Sequence, residues 1–302
     1  MTDAIAHLDL RQFRDGGDAD RQAFSKALMA GLRRHGFITL EGHLVDEALL
    51  ADSYRLAADF FALPEETKTA YAGALRGYTP FGVEHAKDHA APDLKEFWQI
   101  GHETGGEHPN RWPGEPAGFR ATFLSLFDRL FETGAVLLQA IAIELDLPAD
   151  YFAPRVEGGT SLLRLLHYPP IPPGVDPDCV RAAAHEDINL ITLLVAAEGA
   201  GLELLDKDGR WLPVETRRGD LIVDTGDMMA RITNGVLPAT THRVVNPTGP
   251  NVSRYSMPFF MQPRSDVRLE PIESCGPVQD HPVTTAGEYL NQRLKEIGLP
   301  KA

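Results

Sequence analysis

Three residues far apart in this 302-residue chain carry the side chains of one metal site: His185, Asp187 and His242. His185 and Asp187 stand in Ala-Ala-Ala-His185-Glu186-Asp187-Ile-Asn-Leu-Ile-Thr, a strand-like setting. In a strand, positions i and i+2 share a face, so the two side chains can reach one ion while Glu186 points the other way. On a helix the same spacing would put them on nearly opposite sides. His242 opens a second apolar run, Thr-Thr-His242-Arg-Val-Val, and supplies a third ligand. Two imidazoles and one carboxylate on one side of an ion suit Fe(II) and leave positions open for a cosubstrate and O2.

The spacing alone is not selective, since His7-Leu8-Asp9 repeats it. The second feature is Arg254-Tyr255-Ser256, in the strand-like run from Val252 to Met261. Arg254 and Ser256 share a face, so a guanidinium fork and a hydroxyl converge on one point. Arginine binds a carboxylate with two parallel charge-assisted hydrogen bonds, which is the chemistry this pair offers. No such pair follows His7. Taken alone, His242 and Arg254 also fit a structural histidine and a buried salt bridge.

An H-x-D pair, a histidine some fifty residues on and then R-x-S closely resembles the isopenicillin N synthase-like branch of the Fe(II)/2-oxoglutarate-dependent oxygenases. Other stretches match the same family. Leu165-Leu166-His167-Tyr168-Pro169-Pro170 resembles its N-Y-Y-P-P segment, with Leu166 where plant members usually have Asn. Asn234-Gly235 followed by Thr241-His242-Arg243-Val244 resembles S-N-G…E-H-R-V. Gly36-Phe37-Ile38 and Phe60-Phe61-Ala62-Leu63-Pro64 are similar to its amino-terminal G-F-F and F-F-x-L-P elements. The likeness runs from about Ile5 to about Pro263.

The resemblance implies an Fe(II)- and 2-oxoglutarate-dependent oxygenase acting on a small molecule. Its iron ligands are His185, Asp187 and His242. The cosubstrate chelates the iron through its keto-acid end and is converted with O2 to succinate and CO2. Arg254 and Ser256 hold its distal carboxylate, and Tyr168 adds a hydroxyl. The family's own isopenicillin N synthase and the aminocyclopropane-carboxylate oxidases keep R-x-S without using 2-oxoglutarate, so an oxidase of that kind stays open. A cupin-like binding protein without catalysis is the alternative from another class. A zinc hydrolase would leave Arg254 and Ser256 without a task.

For the substrate, Phe260 continues the strand face of Arg254 and Ser256. Tyr78, Phe81, Phe97 and Trp98 lie in a loop-rich stretch expected to cover the barrel mouth, although a buried aromatic cluster explains them equally. His102 and His108 read as solvated loop residues, and Asp224 and Asp227 as turn and strand-edge residues.

These residues need an α+β scaffold: a double-stranded β-helix, or jelly roll, with an α-rich amino-terminal region packed against it. The carboxy-terminal half shows short β runs at 161–168, 189–196, 202–205, 211–214, 221–224, 231–233, 242–245 and 252–261, with hairpin signals at Asp206-Lys207-Asp208-Gly209 and Asn234-Gly235. Upstream, Ile5–Leu10 and Phe37–Leu40 read as strands. Phe24, Leu28 and Leu32 mark a helix stopped at Gly36, and a second helix begins near Asp46. Apolar spacing from Phe119 to Leu145 predicts a long core helix between Pro116 and Pro148, and Thr285 with Glu288 forms a capping box for a closing helix. Four regions follow: 1–115, an α/β region of the non-haem oxygenase type; 116–160, the long helix and its connection; 161–265, the oxygenase jelly roll; and 266–302, a closing helix and tail.

A composition 43% hydrophobic is ample for a buried core, and a formal net charge of −14 repels phosphate backbones and anionic lipids. That argues against nucleic acid as partner. Two cysteines, Cys179 and Cys275, imply no disulfide framework. No signal peptide or membrane-spanning run is evident, and a cytoplasmic location is expected. Oligomeric state and substrate identity are not encoded in any motif.

Overall fold

The computed structural model describes residues 5–84, 91–103, 108–176, 178–195, 201–276 and 282–296. In chain order the elements are β1 (Ala6–Asp9), α1 (Arg11–Arg14), α2 (Asp18–His35), β2 (Phe37–Glu41), α3 (Glu47–Phe61), α4 (Glu65–Thr69), β3 (Gly77–Thr79), β4 (Glu96–Gly101), α5 (Phe119–Glu144) and α6 (Ala153–Val156). They continue as β5 (Leu162–Tyr168), β6 (Ala182–His185), β7 (Ile191–Val195), β8 (Leu202–Leu205), β9 (Trp211–Pro213), β10 (Leu221–Thr225), α7 (Asp227–Ile232), β11 (His242–Val244), β12 (Arg254–Met261) and α8 (Ala286–Glu296).

Local chemistry sets the helix ends. The Asp46 carboxylate accepts the Leu49 N–H at 2.8 Å, capping α3. Gly36 stops α2 in the left-handed region at φ 66°, and its N–H bonds back to the Leu32 carbonyl. Thr285 and Glu288 exchange side-chain bonds to each other's N–H at 3.2 and 3.0 Å, so α8 carries the expected capping box.

The strands form two sheets. The larger runs β1-β2-β10-β7-β12-β5-β4-β3, and the smaller β6-β11-β8-β9. Strands β1 and β2 pair in parallel, while β10, β7, β12, β5 and β4 follow in antiparallel succession. Alternation gives the large sheet two working faces. Its outer face packs against α2, α3 and α5, with Phe127 of α5 edge-on to Phe259 of β12 at 5.0 Å. A second apolar cluster lies between the two sheets, joining Phe37, Phe97, Leu166 and Ile222 of the large sheet to Leu202, Leu204 and Val244 of the small one. This is the jelly-roll core with helices packed on one side.

Three expectations change. Residues 231–233 belong to α7 and its end, because Met228, Met229 and Ile232 bury a helical stripe. Asn234-Gly235 therefore closes a helix and joins no hairpin: both residues adopt positive φ, and the Gly235 N–H bonds the Ala230 carbonyl at 2.8 Å. Strand β12 starts at Arg254, since Val252 is exposed. The far end of the run expected at 189–196, Ala196, lies outside the described residues.

Candidate active site

Strands β6 and β11 pair antiparallel with His185 directly opposite His242, which brings the two rings to 4.4 Å. Strand β6 ends at His185, and Asp187 sits in the extended chain just beyond it. The Asp187 Oδ1 atom lies 3.8 Å from both His185 Nε2 and His242 Nε2. Among the described residues this is the single group of three potential metal-donor side chains whose ligand atoms all fall within 4.8 Å of one another. Each histidine donates its Nδ1–H to a carbonyl two residues earlier, His185 to Ala183 at 2.7 Å and His242 to Thr240 at 3.0 Å. That hydrogen bond leaves the Nε2 lone pair of each ring turned toward Asp187, the arrangement metal-binding histidines need. Thr192 donates to the other Asp187 oxygen and is itself bonded by Asn189 at 2.8 Å, so the carboxylate is fixed too.

Electrostatics favour neutral imidazole. Burial, then the neighbouring His242 ring, holds His185 below the ordinary imidazole range. Asp224, expected as a turn or edge residue, is instead 4% exposed in the middle of β10. Burial first, then the charge of Asp187, raises its carboxyl well above the usual range. The competing motif has no such geometry. Asp9 is held by Arg11 through bonds of 2.8 and 2.7 Å, and His7 sits near Glu41 and Asp220 on the surface.

Arg254 and Ser256 project from β12 on one face, 4% and 2% exposed. Arg254 faces Tyr168 across the ladder to β5, its Cζ 5.1 Å from the ring centroid, and Ser256 faces Leu166. Leu166 makes this side of the pocket apolar, as the departure from Asn implies. The Nε and Nη1 atoms of Arg254 are buried without a hydrogen-bond partner among the described residues. A guanidinium held out of water without an anion is costly, so the geometry is that of an anion site.

Sequence reasoning missed Arg181. It is 4% exposed, bonds the Val252 carbonyl at 2.7 Å and keeps a buried Nε without a partner. Burial, then the charge of Arg254, holds its pKa down, which places a second cation beside the first. No local signal marks it: Arg181 lies just before β6, whose ladder to β11 carries a register shift between His185 and Ala182, so strand alternation does not place it.

A cavity of about 940 Å3 opens beside His185 and Asp187. His185, Asp187, Phe260, Tyr78 and Phe97 line it, while Arg254, Ser256 and Tyr168 lie deeper and outside its wall. Glu186 does not turn away; it lines the cavity and accepts a bond from Thr241 at 3.3 Å. Tyr78 is 1% exposed and donates to Glu96 and Glu65. Trp98 is not a cavity residue: its neighbours are Phe60 at 4.8 Å, Tyr71 at 5.5 Å and Phe119 at 5.6 Å. Phe81 lies 39% exposed, off the cavity wall. His108 is an exposed residue at the rim, but His102 is packed edge-on against Phe127 and Phe131. Asp227, also read as an edge residue, is 7% exposed and bonded by Arg293 and Tyr289 of α8.

Two family models match the chain: the non-haem dioxygenase in morphine synthesis N-terminal model over residues 5–115, and the 2OG-Fe(II) oxygenase superfamily model over residues 160–263. A 2-oxoglutarate-Fe(II) type oxidoreductase, hxnY of Emericella nidulans, is 32% identical over 96% of this chain and 89% of its own. A solved 2OG-Fe(II) oxygenase family protein of Caulobacter crescentus is 43% identical, with a TM-score of 0.87 over 98% of this chain and all of its own. A full-length Neurospora crassa protein solved in complex with alpha-KG is 30% identical, with a TM-score of 0.89 over 98% of both chains. The motifs, the fold and these relatives agree that the chain belongs to the Fe(II)/2-oxoglutarate-dependent oxygenase superfamily, in its isopenicillin N synthase-like branch, and is a dioxygenase that uses Fe(II) and 2-oxoglutarate.

Proposed function

We propose that His185, Asp187 and His242 hold the Fe(II), that Arg254, Ser256 and Tyr168, with Arg181 beside them, hold the distal carboxylate of 2-oxoglutarate, and that the adjoining cavity takes the substrate to be hydroxylated or desaturated. The observations that carry this reading are the buried Arg254 guanidinium, two of whose nitrogens have no partner among the described residues, and a triad whose Nε2 atoms both face Asp187. The donor set fits the metal, and the orphaned guanidinium fits a dicarboxylate lying with its other end toward the triad. Bound together, Fe(II) and 2-oxoglutarate supply O2 activation, with 2-oxoglutarate consumed to succinate and CO2. The protein's share is to fix the ligands, bury the far carboxylate and place the substrate in a cavity of about 940 Å3, a size suited to a small molecule. Two free cysteines, one of them buried, support a cytoplasmic reading, and among the described residues no helix is long and apolar enough to cross a membrane.

The test is anaerobic loading. Purified apo-protein should take up one equivalent of Fe(II), and adding 2-oxoglutarate should then produce the weak visible charge-transfer band of a chelated keto acid. His185→Ala and His242→Ala should lose tight metal uptake, whereas His7→Ala should keep it. Normal uptake by His185→Ala, or loss of uptake in His7→Ala, would overturn the assignment.

A further inference from the structure

Among the described residues the cavity contains one arginine or lysine with no anion beside it. Glu84 pairs with Lys95 at 2.6 Å and with Arg164 at 3.0 Å, and Asp93 pairs with Lys95 at 2.8 Å. Arg293 pairs with Asp227 at 3.0 Å. At the metal end Asp187 belongs to the triad, and Glu186 is bonded by Thr241. Arg76 also lines the cavity, and it has no hydrogen-bond or ion-pair partner among the described residues. Its Nε is fully shielded, and burial with no compensating anion pulls its pKa down to about 10.

The guanidinium has a prepared seat. It lies on Gly101, the last residue of β4, so closely that a Cβ there would come within 2.6 Å of Cζ and Nη2. Any other residue at 101 would push the guanidinium off this ledge. Gly101 is in turn pinned by Asn110, which accepts from its N–H and donates to its carbonyl, both at 2.8 Å. Burial first, and then the charge of Arg76, lowers the pKa of the neighbouring His102. A long, flexible cation is thus seated against backbone, with no anion of its own among the described residues.

Gln99 donates to the carbonyl of Leu75, the residue before Arg76, at 2.9 Å and accepts from Arg164 at 3.2 Å, and the Arg164 guanidinium lies 4.3 Å from the Phe97 ring centroid and 5.5 Å from that of Phe260. The same cavity therefore carries aromatic wall residues, Phe97 and Phe260, as well as Arg76. Desolvating a charge is repaid when a ligand brings the opposite one, and a fixed fork rewards a planar carboxylate above other anions.

We propose that the primary substrate is a small carboxylic acid with an apolar body, and that Arg76 on its Gly101 seat is the residue that binds the carboxylate. This rests on the oxygenase reading of the cavity, but it concerns a different anion site from that of Arg254.

The test uses matched pairs: benzoate with benzamide, phenylacetate with phenylacetamide, and hexanoate with hexanamide. Each is titrated calorimetrically into Fe(II)-loaded protein under anaerobic conditions with saturating 2-oxoglutarate, which keeps the Arg254 site filled. In at least one pair the acid should bind ten-fold or more tightly than its amide. Arg76→Gln should erase that preference with amide binding unchanged, and Arg76→Lys should retain part of it. A ligand-free control does not need any of these probes: Arg76→Met removes a half-buried charge that has no partner among the described residues, so its melting temperature should match or exceed that of the parent. The proposal is overturned if no acid binds, if acid and amide bind equally in every pair, if Arg76→Gln keeps the preference, or if Arg76→Met melts well below the parent. Because 2-oxoglutarate binding is titrated first, failure of the Arg254 assignment shows separately.

Discussion

Replacing Arg254 with Lys separates carboxylate recognition from metal binding. The substitution keeps a positive charge on β12 but replaces a planar fork by a point donor. In the parent, Nε and Nη1 are both buried without a partner among the described residues, so the guanidinium keeps several N–H donors for a carboxylate. Lysine can offer that carboxylate one bond in the same direction. Losing one charge-assisted hydrogen bond costs roughly 1.5–3 kcal/mol, or about ten- to a hundred-fold in the 2-oxoglutarate dissociation constant. Iron binding should be unaffected, because Arg254 stands on the large sheet while His185 and His242 stand on the small one. The assay is an anaerobic titration of Fe(II)-loaded protein with 2-oxoglutarate, read at the visible charge-transfer band, beside a colorimetric iron count. Unchanged 2-oxoglutarate affinity would refute the reasoning, as would iron loss as complete as in His185→Ala.

Ser256→Ala should weaken 2-oxoglutarate by less, on the order of 0.5–1.5 kcal/mol in the same titration, because a neutral hydroxyl is the weaker donor. Trp98→Ala should cost about 3–5 kcal/mol of stability in denaturant unfolding, since the indole is fully buried among Phe60, Tyr71 and Phe119, and should leave the 2-oxoglutarate affinity near that of the parent. Glu84 gives an acid-side signature. Burial alone would raise its carboxyl, but Arg164 and Lys95 outweigh burial and hold it at about 2, below its ordinary value of 4.5. A depressed carboxyl contributes stability above the unfolded value and loses it as pH falls through the folded one, here from about 4.5 to about 2. Over that window the parent's unfolding midpoint should fall more steeply than that of Glu84→Gln, and parallel curves would show that the carboxylate is not held down.

Features decided within a few residues of chain could be read without coordinates. The cap at Asp46, the stop at Gly36 and the Thr285–Glu288 box depend on bonds spanning about four residues, and each forms as its residue types require. The same holds for Arg254 and Ser256, which share a face because a strand alternates. His185, Asp187 and His242 were legible as residue types that make sense together. Their meeting, however, depends on the β6–β11 register, which sets His242 opposite His185 across 57 positions of chain.

What the sequence left open was which side of a sheet faces what. Trp98 and Phe97 are neighbours on β4 and equally apolar, yet one is buried under the helices and the other lines the cavity. Alternation separates them but cannot say which face is which until α3 and α5 have packed. Residues 231–233 turned helical because a short apolar run satisfies either period, and burial of Met228, Met229 and Ile232 chose between them. Arg76 and Arg181 look like ordinary basic residues along the chain. Their meaning lies in having no anion beside them among the described residues, and a missing partner is a property of the space around a side chain. Local bonds are written in neighbouring residues, whereas burial and charge compensation exist only once distant segments have closed around a site.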